Sequence, residues 1–215
     1  MATSVEKNKD YWNKFYKQDF VHIPSQFCAL VATSIEPNST VVELGCGNGR
    51  DSHFFSEANF NVVGIDLSQG AIDACNKSSN PNRNIQFLCG DISDEATCDR
   101  VRLVMNLSEA CEQINFYSRF VIHSIDEQQE KSFMMGLKTL MSSGDHIFFE
   151  FRSQDDQETK KVYGNHYRRY INTELFTKNL VDIVGVDILY SITGRGMAMY
   201  KDEDPSVSRI IAQKL

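Results

Sequence analysis

The sequence lacks the cysteine and histidine patterns of metal-binding and disulfide-bonded proteins. None of its six cysteines forms a C-x-x-C pair, and no Cys/His group has zinc spacing. Several cysteines lie inside apolar runs, so we interpret them as small buried thiols in a reducing compartment. We therefore expect no metal site.

Long apolar runs are also absent. No run reaches the length of a membrane-spanning helix, and the N-terminal segment MATSVEKNKDYW has no apolar core typical of a signal peptide. These features predict a cytoplasmic protein without membrane insertion. The sequence also contains no internal repeat and no low-complexity segment.

Positive charge is scarce. The chain has 22 Lys and Arg against 29 Asp and Glu, a net charge of -7. Proteins that bind phosphate backbones usually present a basic surface, so this balance disfavours nucleic acid as a partner. The 215 residues suffice for one sizeable domain with a hydrophobic core. We therefore expect a single domain, 1–215.

The hydrophobic pattern alternates between strands and helices from residue 40 onwards. Short β-branched runs such as TVVELG and NVVGID precede segments with helical spacing such as SQGAIDACNK. Such alternation is typical of a parallel sheet with right-handed crossovers. Two strand-like runs near the C-terminus have no helix between them. We predict an α/β, Rossmann-like, seven-stranded, mostly parallel sheet with one antiparallel strand and helices on both faces.

The ends of one predicted helix carry recognisable signals. Ser124 and Glu127 form the Ser-x-x-Glu pattern of a capping box, which predicts where this helix begins. Gly144 follows its last apolar positions and predicts a left-handed helix end.

A glycine-rich loop, GCGNG, follows the first predicted strand. Gly45, Gly47 and Gly49 permit positive φ and let a ligand lie against the backbone. Ligands of open α/β sheets bind beyond the carboxyl ends of the strands, where Asp66 ends the second predicted strand. An acid at that position can accept hydrogen bonds from both hydroxyls of a ribose. Glu43 precedes the loop and favours a cationic ligand over a pyrophosphate.

Two ligand classes fit such a loop. A dinucleotide prefers G-x-G-x-x-G, whereas here the third glycine comes one position earlier and is followed by Arg50. S-adenosylmethionine carries an ammonium and a sulfonium and no phosphate. The residues therefore favour S-adenosylmethionine as the cofactor, and an NAD(P)-dependent oxidoreductase is the disfavoured alternative.

Three segments, ELGCGNGR, VVGIDLS and FLCGDI, occur in the order and spacing of a known family. They resemble motif I and its two downstream partners in class I S-adenosylmethionine-dependent methyltransferases. The resemblance implies a cofactor-binding core, 37–152, preceded by an N-terminal helical cap, 1–36, and followed by a substrate-side insert and antiparallel end, 153–215. It implies that the cofactor contacts are Glu43, Gly45, Gly47, Gly49, Asp66, Leu67, Asp91, Ile92 and Ser118.

Individual roles follow from the same resemblance. The three glycines would line the methionine and ribose parts, Glu43 would orient the loop and the ammonium side, and Asp66 would hold the ribose. Asp91 would face the adenine amino group, and Ile92 would pack on its ring. Trp12 and Tyr16, one helical turn apart, would close over the cofactor or simply pack on the sheet.

In the family that the sequence resembles, the end of the fourth strand lies beneath the transferable methyl group. In this chain the end of the fourth predicted strand reads YSRF and lacks the Asn/Asp-Pro-Pro-aromatic signature of many amino-group methyltransferases that act on nucleic acids. His123 follows and is a candidate catalytic base for a hydroxyl acceptor. Alternatively, this histidine packs against the sheet or hydrogen-bonds the loop.

Basic and aromatic residues cluster after the predicted strand ends. Arginine forks suit carboxylate or phosphate, which predicts a pocket for an anion; the alternative is a solvated face paired with nearby acids. The candidate substrate-binding residues are Arg119, Arg152, Tyr167, Arg168, Arg169 and Arg195.

These features favour methyl transfer to a small, anionic acceptor, through oxygen rather than nitrogen. The segments EFR and VYGNHYRRY and the C-terminal tail also resemble bacterial methyltransferases of surface-polysaccharide and phospho-sugar modification. A non-catalytic S-adenosylmethionine sensor or partner subunit, and a protein or RNA methyltransferase, remain alternatives.

Overall fold

The computed structural model describes residues 11, 23–106, 113–159, 161–162 and 167–215. Within these residues one seven-stranded sheet forms, with the strand order β3-β2-β1-β4-β5-β7-β6. The strands are β1 Thr40–Leu44, β2 Asn61–Asp66, β3 Ile85–Cys89, β4 Ile114–Arg119, β5 His146–Arg152, β6 Val186–Gly194 and β7 Val207–Lys214.

The first described helix precedes β1, and each of the others lies between two consecutive strands. The helices are α1 Gln26–Ala32, α2 Arg50–Glu57, α3 Gln69–Ser78, α4 Glu95–Asn106, α5 Glu127–Leu140 and α6 Thr173–Val184. Three of them begin where short polar side chains predict a cap: Ser25, Ser68 and Asn172 each accept a hydrogen bond from a backbone N–H of the first turn. Among the described residues no helix is long and apolar enough to cross a membrane.

The strand directions confirm the predicted sheet. Each neighbouring pair from β3 to β5 is parallel, and β7 is antiparallel to both β5 and β6. The single reversed strand follows from the direct β6-to-β7 connection, because a strand that returns without a crossover helix must run the opposite way.

Both faces of the sheet are covered by apolar packing. Successive residues of a strand point to opposite faces, so Val41 packs with Phe27 and Phe55 from α1 and α2. Its neighbour Val42 belongs to the larger cluster that α4, α5 and α6 cover, which includes Leu137. The carboxyl edge of β1 to β5 is thereby held between two cores.

The predicted start of α5 is wrong by two residues. Its capping box is formed by Asp126, whose carboxylate accepts from the Gln129 amide, while the Gln129 side chain accepts from the Asp126 N–H. Ser124 instead ends a short 3-10 turn and donates its hydroxyl proton to the Val121 carbonyl. The pattern therefore marked the turn before the helix.

The predicted glycine end of this helix is also wrong. The helix stops at Leu140, and Met141 is its cap residue in an extended conformation. Gly144 has a φ of 94° but lies in the turn that leads into β5. Its left-handed backbone therefore serves the strand connection.

Gly136 marks the closest contact between α5 and the loop after β3. A Cβ built on Gly136 would lie 2.1 Å from the carbonyl oxygen of Ile92. Since the obstacle is backbone, it cannot move aside by rotating a side chain. The helix supports this loop directly.

Replacing Gly136 with alanine should destabilise the protein. Alanine normally stabilises a helix interior by about 1 kcal/mol relative to glycine. Here the steric clash should reverse the sign, giving a net loss of roughly 1–3 kcal/mol in urea unfolding followed by circular dichroism. Gly194→Ala is the matched control, because its Cβ would meet only Met197 Cε, at 3.8 Å. Equal stability of the Gly136 variant and the wild type would contradict this packing.

Candidate functional site

The glycine loop adopts the backbone that its composition predicts. Gly45, Gly47 and Gly49 have φ values of 81°, 54° and 75°, all in the left-handed region. The N–H groups of Gly45 and Cys46 both donate to the Ile65 carbonyl, at 2.8 and 2.9 Å. The loop therefore folds back over the ends of β1 and β2 before Gly49 starts α2.

Asp66 fixes the outer side of this loop. One carboxylate oxygen accepts from the Gly47 N–H and the other from the Ser68 N–H, each at 2.9 Å. Burial raises the pKa of Asp66, and the two backbone N–H groups of Ser68 and Gly47 limit that rise. Each oxygen has capacity for a second hydrogen bond, which suits a ligand hydroxyl.

Glu43 lies beneath the loop. Its side chain is buried and accepts a hydrogen bond from the Ser52 hydroxyl of α2. Burial, followed by the charge of Asp51, raises the pKa of Glu43 well above its ordinary value, against the Ser52 hydrogen bond. In this structure Glu43 contacts the helix that follows the loop, and its predicted role toward the ammonium group stays a prediction.

The ends of β2 and β3 bring three further predicted residues to this edge. Asp91 accepts from the backbone N–H and the hydroxyl of Ser93, at 2.9 and 2.8 Å. Ile92 is largely buried in the core that α4 and α5 cover. Leu67 is half-buried, and its carbonyl accepts from the Cys89 thiol.

Ser118 joins β4 to the start of the loop. Its hydroxyl donates to the carbonyl of Leu44, 2.8 Å away, and its side chain is buried. Leu44 immediately precedes Gly45, so this hydrogen bond steadies the point where the chain leaves β1.

His123 is held by the backbone around it. It is buried in the turn Ile122–Ser124, and its Nδ1 accepts from the Arg152 N–H at 3.3 Å. Its carbonyl accepts from the Arg169 N–H at 2.7 Å. These contacts agree with the loop-bonding alternative, and the base role stays a prediction.

Two predicted anion ligands are engaged within the fold. Arg152 is 6% exposed and pairs with Asp156 at 2.6 Å and Glu203 at 2.5 Å. Arg169 donates to the Ile125 carbonyl at 2.6 Å and pairs with a carboxylate of α5 at 2.5 Å. Their contacts give no support to a substrate role, although that role stays a prediction.

The remaining candidates lie in different surroundings. Arg195 is exposed and donates to the Asp204 carbonyl at 2.6 Å. Arg168 is partly buried, and burial and the charge of Arg152 lower its pKa, while Tyr170 works against that shift. Tyr167 is exposed. The predicted residues Trp12 and Tyr16 lie outside the described residues.

Arg119 sits differently from these arginines. Its Nε donates to Glu150 at 2.7 Å, and the guanidinium carbon lies 4.0 Å from the centroid of the Phe120 ring. The other Glu150 oxygen accepts from Arg209, also at 2.7 Å. Sequence reasoning missed Glu150, although a single acid inside the apolar run HIFFEFR is a signal of a buried pair.

A second cluster that the sequence did not reveal anchors α1. Asp51 accepts from the Ser25 N–H and hydroxyl and from the Tyr117 hydroxyl, at 2.8, 2.7 and 2.8 Å. Burial opposes ionisation, but the charges of Arg50 and Arg119 outweigh it and lower the pKa of Asp51. This cluster ties α1, α2 and β4 together beside the loop.

Comparison with known proteins identifies this arrangement. Residues 41–123 match the family described as "Methyltransferase domain", a span that starts in β1 and ends at His123. The matched span is a methyltransferase domain, and the fold of the described chain is the one shared by S-adenosylmethionine-dependent methyltransferases. S-adenosylmethionine is the cofactor of this domain, and the positive-φ glycines beside a partly exposed acid fit it. Among the described residues no group of three or more His, Cys, Asp and Glu is arranged to hold a metal ion.

Solved structures share the fold at low sequence identity. An S-adenosylmethionine-dependent methyltransferase from Anabaena variabilis superposes with a TM-score of 0.73, at 17% identity, covering 100% of this chain and 96% of that one. The glycopeptide N-methyltransferase MtfA gives a TM-score of 0.65 at 14% identity, covering 89% and 96% of the two chains.

A curated relative is the mRNA cap guanine-N(7) methyltransferase of Saccharomyces cerevisiae. It is 25% identical over 126 residues, which are 55% of this chain and 28% of that protein. The chain therefore corresponds to little more than a quarter of this relative.

Replacing Gly45 with alanine should strain the loop in two ways. The backbone φ is unfavourable for alanine, and the new Cβ would lie 2.1 Å from Cγ2 of Val121. Because that obstacle is a side chain, Val121→Ala should partly rescue Gly45→Ala. We expect a favourable coupling of roughly 1–2 kcal/mol in a double-mutant cycle of urea unfolding. Strictly additive effects would show that the two residues do not touch.

The buried Glu43 carboxylate should make stability pH-dependent. Its pKa is raised on folding, so the folded state keeps the proton longer, and stability falls as the pH rises above the ordinary value of 4.5. The difference between the unfolding midpoints of Glu43→Gln and the wild type should therefore shift in favour of the variant as the pH rises.

Exposed Glu57 is the opposite-sign control for this measurement. The hydrogen bonds that it accepts from Arg83 and Asn80 lower the pKa of Glu57. The ionised carboxylate therefore stabilises the folded protein at pH values above the ordinary pKa of a glutamate, and this stabilisation is lost as the pH falls. The unfolding midpoint of Glu57→Gln should thus fall slightly relative to that of the wild type as the pH rises. A pH-independent difference for Glu43→Gln would contradict the assigned shift.

Proposed function

We propose that this enzyme methylates a small anionic acceptor at the carboxyl edge of β4 and β5, through an acceptor oxygen. The observation that carries this proposal is an excess of positive charge at that edge, in a chain whose net charge is -7. Two groups of ion pairs and close charges there hold six cationic side chains and four carboxylates. We call these two groups together the basic edge; one comprises Arg50, Arg119 and Arg209 with Asp51 and Glu150, and the other comprises Arg152, Lys161 and Arg168 with Asp156 and Glu203.

The six cationic side chains of the basic edge outnumber its four carboxylates by two. Burial works against ionisation of Asp156, but Lys161 and Arg152 hold its pKa below the ordinary value. Cations that outnumber their partners in a partly buried network favour an incoming anion. A carboxylate or phosphate oxygen of the acceptor is the ligand this edge suits best.

The cofactor side supports the same orientation. We infer that Asp66 holds the ribose hydroxyls, the glycine loop lies along the methionine part, and Asp91 faces the adenine. Bound S-adenosylmethionine supplies a methyl group on a sulfonium, which is already a good leaving group. The work left to the chain is alignment, with the nucleophile held about 3 Å from the methyl carbon.

Oxygen is favoured as the nucleophile because it needs no proton removal when it is anionic. His123 is buried against backbone groups, and its Nδ1 already accepts from the Arg152 N–H. A carboxylate or phosphate oxygen attacks in its ionised form, so the reaction would not depend on a dedicated base. A hydroxyl acceptor would instead require His123 or another base.

RNA is the second candidate acceptor, and one observation favours it. The Saccharomyces cerevisiae relative is named for methylation of the mRNA cap guanine. The basic edge could receive cap phosphates in place of a small anion. The net negative charge of the chain weighs against this alternative.

The test is transfer of isotopically labelled methyl from S-adenosylmethionine to a metabolite extract and, separately, to capped RNA. We expect a labelled carboxylate or phosphate methyl ester from the extract, identified by mass spectrometry. Asp66→Asn is the control, because losing the ribose contact should weaken cofactor binding by roughly tenfold or more and abolish the product at low cofactor concentration. Labelled RNA alone would select the second candidate, and a methylated neutral amine would overturn the anionic acceptor.

A further inference from the structure

Phe120 has a backbone conformation that a bulky residue rarely adopts. Its φ is 62°, and its N–H donates to the Glu150 carbonyl at 2.8 Å, immediately beyond the last residue of β4. Strained residues of this kind persist where the surroundings over-determine them, often at functional sites. The position is next to the edge where the acceptor is proposed to bind.

The Phe120 ring lies between charged groups. The guanidinium carbons of Arg119 and Arg152 lie 4.0 and 5.3 Å from its centroid, and the His123 ring meets it edge-on at 5.2 Å. A cation over an aromatic face is attracted by the ring quadrupole. The strained backbone thus places one ring within reach of two arginines that belong to different ion-pair groups.

The two arginines differ in their exposure and in the N–H donors that remain unpaired. Arg152 is almost fully buried and holds two carboxylates. The Arg119 side chain is 15% exposed and gives its Nε to Glu150, whose second oxygen already serves Arg209. Among the described residues, the terminal amino groups of Arg119 have no hydrogen-bond partner. A guanidinium carries five N–H donors, so a two-pronged contact to an anion remains available.

We propose that Phe120 is a positioning residue that seats the Arg119 guanidinium, and that Arg119 binds the anionic oxygens of the acceptor through its terminal N–H groups. This inference rests on the proposed function and narrows it: the acceptor is recognised by Arg119, and Arg152, Arg169 and Arg195 serve the fold. The ring holds the guanidinium from one direction and Glu150 holds it from another, which leaves little freedom to lose on binding.

A double-mutant cycle between Phe120→Leu and Arg119→Gln tests this inference. The probes are inorganic phosphate and acetate, titrated into the protein with S-adenosylhomocysteine present and followed by the arginine side-chain signals in nitrogen-15 NMR. Each single variant should weaken binding of at least one probe by roughly tenfold. The double variant should be no weaker than Arg119→Gln alone, because the ring acts through the arginine. Additive losses, or an unchanged affinity in Phe120→Leu, would overturn the proposal.

Two further variants separate positioning from a purely structural role. Phe120→Tyr keeps the ring and should restore anion affinity to within about twofold of the wild type. Phe120→Gly relieves the positive φ, so its thermal midpoint should hold or rise while anion affinity falls. Affinity for S-adenosylmethionine should stay within about twofold in all variants. Parallel loss of thermal stability and cofactor affinity with the anion affinity would indicate structure alone.

Failure of this inference is distinguishable from failure of the proposed function. If the wild type binds neither probe and the labelled-methyl screen yields no carboxylate or phosphate methyl ester, both are overturned. If the wild type binds a probe and makes such an ester but Arg119→Gln changes neither, only the assignment to Arg119 and Phe120 is overturned. Once the acceptor is known, a raised KM with an unchanged kcat in Phe120→Leu would support it further.

Discussion

The cofactor end of the molecule depends on the hydrogen bonds that Asp66 accepts. One carboxylate holds the Gly47 N–H of the loop and the Ser68 N–H that precedes α3, so two segments that approach from different strands share one anchor. The Ile65 carbonyl holds the first part of the loop through Gly45 and Cys46, and Asp66 holds Gly47, the middle glycine. The carboxylate is partly buried at a cost in ionisation, and that cost is offset by the backbone donors around it.

The edge proposed to bind the acceptor is organised by buried charge rather than by backbone. Glu150 is shared by Arg119 and Arg209, and Asp156 by Arg152 and Lys161. Buried ion pairs of this kind add little net stability, because desolvation consumes most of the attraction. The Arg119–Glu150 pair is the one proposed to recognise the acceptor, and the Arg152–Asp156 pair holds the fold.

The sequence allowed the fold to be predicted because strand and helix periods alternate cleanly, and two final strand-like runs without a helix between them indicated one antiparallel strand. The loop was predictable because glycine alone suits its backbone. The ion-pair partners could not be predicted. Arg152 pairs with Glu203, about fifty residues away along the chain, and hydrophobic periodicity carries no information on such pairs. The start of α5 was misplaced because Ser124 and Asp126 both suit a cap, and of the two it is Asp126 that exchanges hydrogen bonds with Gln129.

The contact between Gly136 and the Ile92 carbonyl links nucleoside recognition to a helix that is distant in sequence. If Ile92 and Asp91 face the adenine as proposed, the adenine contacts a surface whose shape is set by packing of the hydrophobic core. That surface would be rigid before any ligand arrives, and evolutionary drift in α5 would be limited by the nucleobase as much as by folding.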